Sequence, residues 1–226
     1  MRFNHYILGV KIVIVFLYIR CESLFGNYSP QKNGDLNKME LFNYIAIAFS
    51  FVYTAAALRL LGGLSSAINK DRRYIVHLLF IVIQLISIIT SFWGIWAHRN
   101  LEDWKLYKFI FLLMDGALYY FIATVLVPEN PNEINSWRDY YYKNKHKLFY
   151  AILTFLAYIQ LNGYILTDEV YFGPEQYFHL IGLIPIIFGL KSKSHKIHLA
   201  IACFYLIMVF TMMLTVASEP GWVAQL

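Results

Sequence analysis

Apolar residues run through this chain in long blocks separated by short polar stretches, with no sustained two-residue alternation. A block of ~20 apolar residues, rising ~1.5 Å each as a helix, covers the ~30 Å hydrocarbon core of a bilayer. Six such segments are predicted: about Phe42 to Leu64, Tyr74 to Ala97, Leu106 to Val127, Leu148 to Leu166, Gln176 to Leu190 and Ile197 to Ala217. Pro128 closes the third, Pro185 interrupts the short fifth, and Pro220-Gly221 follow the sixth. Lipid offers backbone groups no partner, and a barrel would need strands with alternating polar faces, so all six are helices. The expected fold class is all-α, a polytopic transmembrane bundle of six helices.

An N-terminal seventh helix is an open alternative. The run from Tyr6 to Ile19 is short and carries Lys11 in its middle. It reads as a signal-peptide core, as a poor membrane helix, or as sequence upstream of the true start at Met39. A small-residue cleavage site is missing around Arg20-Cys21-Glu22, which counts against the first. Glu22 to Lys38, with Gly26, Pro30 and Gly34, reads as a polar linker. The expected organisation is then an N-terminal segment and linker (1–41), one membrane domain (42–218) and a short extracytoplasmic tail (219–226).

Charge orients the bundle. Lys70, Arg72 and Arg73 fall in the first connection, Arg138, Lys143, Lys145 and Lys147 in the third, and Lys191, Lys193 and Lys196 in the fifth. The alternate connections carry Arg99 and Lys105 in one case and no basic residue between Thr167 and Glu175. The positive-inside rule therefore places loops 65–73, 128–147 and 191–196 in the cytoplasm and the C-terminus outside, in the cell membrane. Trp93, Trp96 and Trp104 would form an aromatic belt at the outer boundary. The chain is 59% hydrophobic and only 15% charged, so its +5 formal charge reads as lipid-facing loops and not as a nucleic-acid surface. Cys21 and Cys203 make no disulfide framework.

Few polar residues lie inside the apolar blocks, and each is costly there. Asp115, in Leu113-Met-Asp115-Gly116-Ala117, is mid-helix; it reads as an ion or proton site, or as a hydrogen bond locking two helices. Arg59 reads as a side chain snorkelling to the interface, or as a partner for Asp115. Gln84, Gln160 and Asn162 would line a polar path or bridge helices. At the cytoplasmic face the candidates are His77, His195, His198, Trp137 and Arg138. His195 and His198 share a helix face, but no companion carboxylates complete a metal site, so no metal or other cofactor is expected. The similar run-ins to His77 and His198 would also fit a faint duplication.

No P-loop, no potassium-filter segment and no regular row of arginines occurs, and the last helix has no lysine for a retinal Schiff base. No catalytic set can be assembled. The leading expectation is a small channel or carrier for an ion or small solute, forming a homo-oligomer in the bilayer and using Asp115, Arg59, Gln84, Gln160 and Asn162. An intramembrane enzyme acting on lipid is one alternative. A sensor or effector subunit that docks a cytoplasmic protein through residues 128–147 is the other.

Overall fold

The computed structural model describes residues 33–101, 103–167, 174–215 and 217–218. The expectations for Tyr6 to Ile19 and for the tail at 219–226 lie outside them. Among the described residues there is no strand. Six helices are present: α1 (Asn33–Ile68), α2 (Ile75–Gly94), α3 (Leu106–Leu126), α4 (Trp137–Thr167), α5 (Pro174–Lys191) and α6 (His195–Thr215). Single 3-10 segments follow α2 (Ile95–Asn100) and α3 (Pro131–Glu133).

Five of the helices are long and apolar enough to cross a membrane, and α5 is a shorter apolar helix. At ~1.5 Å per residue its 18 residues reach about 27 Å, close to one hydrocarbon thickness. Large apolar side chains such as Phe51, Ile89, Leu106, Phe121 and Ile207 are exposed around the outside. A water-soluble bundle of this size would bury them; lipid is the solvent that accepts them. The chain is a multi-pass integral membrane protein.

The helices pack in a closed ring, in the order α1, α3, α4, α5, α6, α2, with α2 also touching α3 and α4 across the middle. The most extensive contact is α1 with α3. On α1 the buried positions are Phe42, Ile45, Phe49, Tyr53, Ala56 and Leu60, spaced three and four apart as one helical face requires. On α3 they include Leu112, Asp115, Gly116, Tyr119 and Ala123, at the same spacing. A Cβ at Gly116 would stand 2.9 Å from the Tyr53 ring and from Val52, and Ala56 and Ala123 are fully buried. Small residues let these two backbones approach.

Two boundaries differ from the sequence expectation. α1 starts at Asn33, inside the stretch read as linker. More important, α4 starts at Trp137 instead of Leu148, so most of what reads as a loop is its first turns. Ser136 caps it: the Asp139 N–H donates to Ser136 Oγ (3.2 Å). Trp137, Tyr141, Lys145 and Leu148 then fall on one buried face. The charges in this stretch hide it from a hydropathy window, yet only one side of it is exposed. Pro185, expected to break α5, lies within a continuous helix.

Two buried lysines tie helix ends together. Lys145 Nζ donates to the carbonyls of Gly189, Leu190 and Ser192, satisfying the end of α5 where the helix dipole is negative. Lys108 Nζ donates to the Leu166 carbonyl near the end of α4 (3.2 Å) and lies 3.8 Å from the Asp103 carboxylate. Lys105 holds the Asp103 carboxyl below its ordinary pKa, so the acceptor stays ionised at neutral pH.

Gly189 faces the Phe149 ring so closely that any Cβ would overlap it, and Phe149 is fully buried. Gly189→Ala is expected to cost about 1–3 kcal/mol, as overpacking does. Phe149→Leu in the same chain should recover part of that loss, read as the thermal unfolding midpoint in detergent.

Candidate functional site

Asp115 sits near the middle of α3 and faces α1. Tyr53 Oη donates to Asp115 Oδ2, and both residues are buried. The other carboxyl oxygen, Oδ1, has no hydrogen-bond partner. Tyr53 stacks on Phe49 at 4.3 Å and meets the Tyr119 ring at 5.4 Å. Tyr119, one turn along α3 from Asp115, shares a 2.6 Å hydrogen bond with Ser91 Oγ and donates a long one to the Ser87 carbonyl. Tyr158 of α4 approaches the same region and donates to the Phe111 carbonyl.

Gln84, Ser87 and Ser91 lie three and four residues apart, so they form a polar stripe on the face of α2 that meets α3. Gln84 Nε2 is buried with no partner. It lines a small cavity at the centre of the ring, of about 80 Å³, together with Ser87, Tyr119, Phe155, Tyr205 and Met208. That volume admits a few water molecules. Tyr119 thus touches both the Asp115 cluster, through the Tyr53 ring, and the central cavity, which it lines with Ser87. Of the expected path residues, Gln84 lines the cavity and Asp115 stands beside Tyr119 outside its lining.

The others do not join them. Arg59 Nε donates to the Val127 carbonyl (3.0 Å), some three turns beyond Asp115 and about 18 Å along α3. The two are not paired. Arg59 lies in a wider pocket of about 480 Å³, between α1 and residues 127–133. Gln160 Nε2 bonds His179 Nδ1 (3.1 Å), bridging α4 to α5. Asn162 is buried on α4 with its side-chain oxygen unpartnered.

The end of the bundle that carries the basic connections is closed by aromatic side chains. Trp137 is fully buried; its backbone N–H donates to the Arg72 carbonyl (3.0 Å) and its Nε1 to the Ser66 carbonyl (3.1 Å). His77 stacks on Trp137 with ring centroids 4.7 Å apart, and neither of its nitrogens has a hydrogen-bond partner of good geometry. His198 Nε2 donates to the Ser192 carbonyl (3.0 Å), so in the neutral ring Nδ1 accepts from Tyr141 Oη (2.9 Å). His195 Nδ1 bonds the Tyr74 hydroxyl (3.0 Å), which also meets Tyr142 (3.2 Å). Burial pushes the Tyr74 pKa well above the usual tyrosine range, so its hydroxyl keeps its proton. The three histidines thus act as packing and hydrogen-bonding parts of the closure, and none lines either cavity. Arg138 is exposed beside this cluster. Among the described residues, no group of three or more His, Cys, Asp or Glu side chains could hold a metal.

Sequence reasoning missed Tyr53, Tyr119, Ser91 and the tyrosines around His195 and His198. The Gln84-Ser87-Ser91 stripe was the available signal for the first group. Comparison with protein-family models, curated proteins and solved structures finds no match for this chain.

Removing the one donor to Asp115 leaves a buried carboxyl unsatisfied, which costs about 1–3 kcal/mol. Tyr53→Phe should therefore lower the unfolding midpoint in detergent. The double variant Tyr53→Phe/Asp115→Leu removes both polar groups and is expected to regain most of the loss. A double variant no more stable than Tyr53→Phe alone would refute the pairing as the cause.

Proposed function

We propose that this is a transport-type membrane protein that handles a proton or a small dehydrated cation, with Asp115 as the group that takes it. One observation carries the reading. The Asp115 carboxyl is buried at mid-membrane depth with one oxygen held by Tyr53 and the other left open. A carboxyl serving only to lock helices gains by satisfying both oxygens, and an open lone pair in a low-dielectric interior attracts a proton or cation. The polar stripe of Ser91, Ser87 and Gln84, with the cavity beside it, offers hydroxyl, amide and water positions along which a proton passes. A cavity of about 80 Å³ excludes larger solutes in this conformation. Arg59, Gln160 and Asn162 play no part in that route.

A second reading is favoured by the closed basic end: the two cavities share no lining residue, and Trp137 is fully buried against Ser66, Arg72 and His77. A bundle closed in this way suits a sensor or effector that presents residues 128–147 to a partner. The two readings separate on flux. The full chain reconstituted in vesicles with an imposed proton or sodium gradient should pass current, and Asp115→Asn should abolish it while expression and unfolding midpoint stay near wild type. Wild-type flux in Asp115→Asn, or none in the native chain, would sink the transport reading.

The orientation is part of the same proposal, since the basic loops motivate a cytoplasmic placement for 65–73, 128–147 and 191–196 in the cell membrane. With Cys21 and Cys203 replaced by serine, Asn100→Cys should react with a membrane-impermeant thiol reagent on intact cells. Ser194→Cys should react only after the cells are opened. The reverse pattern would invert the topology.

A further inference from the structure

The pocket around Arg59 belongs to neither the Asp115 cluster nor the central cavity, and its chemistry is specific. Its walls are Leu58, Arg59 and Gly62 of α1 and the segment from Val127 to Glu133. Two contacts fix how this segment rises along α1: Arg59 binds the Val127 carbonyl, and Ser66 Oγ donates to the Pro131 carbonyl (2.7 Å). Ser66 is two turns beyond Arg59, so the segment climbs about 10 Å along the helix axis. The cation therefore lies at the level where α3 ends. The carboxylates of Glu129 and Glu133 belong to the part that continues outward, and both residues are exposed.

The remaining wall opens towards lipid. Gly62 has nothing within 4 Å of the place a Cβ would occupy. Below it, Leu58, Ala55, Phe51, Ile47 and Tyr44 follow at spacings of three and four, and Tyr44, Ile47 and Phe51 are among the most exposed large side chains of α1. The pocket is thus the upper end of a lipid-facing stripe.

We propose that it binds the headgroup of a zwitterionic phospholipid carrying a primary ammonium group. The phosphate sits nearest the acyl chains and meets Arg59. The ammonium lies further from the bilayer centre and meets Glu129 and Glu133, with backbone and Asn130 and Asn132 groups able to accept its remaining hydrogens. The acyl chains run along the α1 stripe. Arg59 and two glutamates line the pocket and Arg72 stands behind its wall on the Asn132 and Ile134 carbonyls, so the site has no excess positive charge to favour a purely anionic headgroup. A trimethylated ammonium could not donate hydrogen bonds. This inference is independent of any role for Asp115.

The test uses the full chain, delipidated in a nonionic detergent and titrated by calorimetry. Four probes are compared: short-chain phosphatidylethanolamine, phosphatidylcholine and phosphatidylglycerol, and glycerophosphoethanolamine, which has the headgroup without acyl chains. Phosphatidylethanolamine is expected to bind at least tenfold tighter than the other three. Gly62→Leu fills the pocket without altering charge and should weaken it at least tenfold. Glu129→Gln/Glu133→Gln should erase the preference over phosphatidylglycerol. Both changes are at open or exposed positions, so they report even if Arg59→Gln fails to fold. Equal or tighter binding of phosphatidylglycerol would mark a simple anion site, and equal binding of glycerophosphoethanolamine would mark a soluble ligand. A preference unchanged in the double glutamine variant, or no binding of phosphatidylethanolamine, would likewise overturn the proposal.

Discussion

A carboxyl group in the middle of α3 needs a donor from within the protein, because lipid supplies none, and Tyr53 of α1 is that donor. The tyrosine reaches Asp115 only if the two helix backbones lie close together, which Gly116, Ala56 and Ala123 permit. Once α1 and α3 are so held, Tyr119 is turned towards α2, and its bond to Ser91 fixes the third helix against the pair. The central cavity is what remains between α2, α3, α4 and α6. A single polar pair thus sets the spacing around which the ring closes.

The basic end follows a different rule. There the polar atoms face one another and backbone carbonyls: Lys145 on the end of α5, His198 between Tyr141 and Ser192, Arg72 on the carbonyls of Asn132 and Ile134. Stacked rings fill the space between them. Trp137, held through both its backbone and its indole N–H, is shared by the α1–α2 turn and the start of α4. Bonds of this kind cross between elements far apart in the chain, so they fasten the helix ends as one unit.

The membrane fold was legible because hydrocarbon imposes a length and a polarity on every crossing segment. The start of α4 was not, since Arg138, Lys143 and Lys147 dilute the hydropathy of a stretch whose other face carries Trp137 and Tyr141. The Ser136-x-x-Asp139 cap was the sign that could have placed it. Asp115 could be singled out from its cost alone. Its partner could not, because α1 holds several aromatic residues and only the packing decides which one faces α3. The histidines looked alike in sequence, and their separate roles depend on neighbours from other helices. Pro185 was misleading for the opposite reason. A proline removes one N–H donor, and α5 continues through it without a break.

The unsatisfied atoms are the part of this structure that packing does not explain. Buried polar groups are nearly always hydrogen-bonded, since each orphan costs about 1–3 kcal/mol. The end carrying the basic loops meets that rule in detail, His77 apart, and the interior does not. Asp115 Oδ1 and Gln84 Nε2 lie on either side of the Tyr119–Ser87 contact, and Asn162 Oδ1 near the C-terminal end of α4 and Asn43 Oδ1 on α1 are further cases. The central cavity gives Gln84, which lines it, room for a water partner. It does not by itself account for Asp115, which is not among the residues of that cavity. No second donor reaches this carboxyl: Tyr119 donates to the Ser87 carbonyl, so the Ser91 hydroxyl donates to Tyr119. That open oxygen is the feature on which the proposed proton or cation site rests, and the Tyr53 bond is the one that holds α1 to α3.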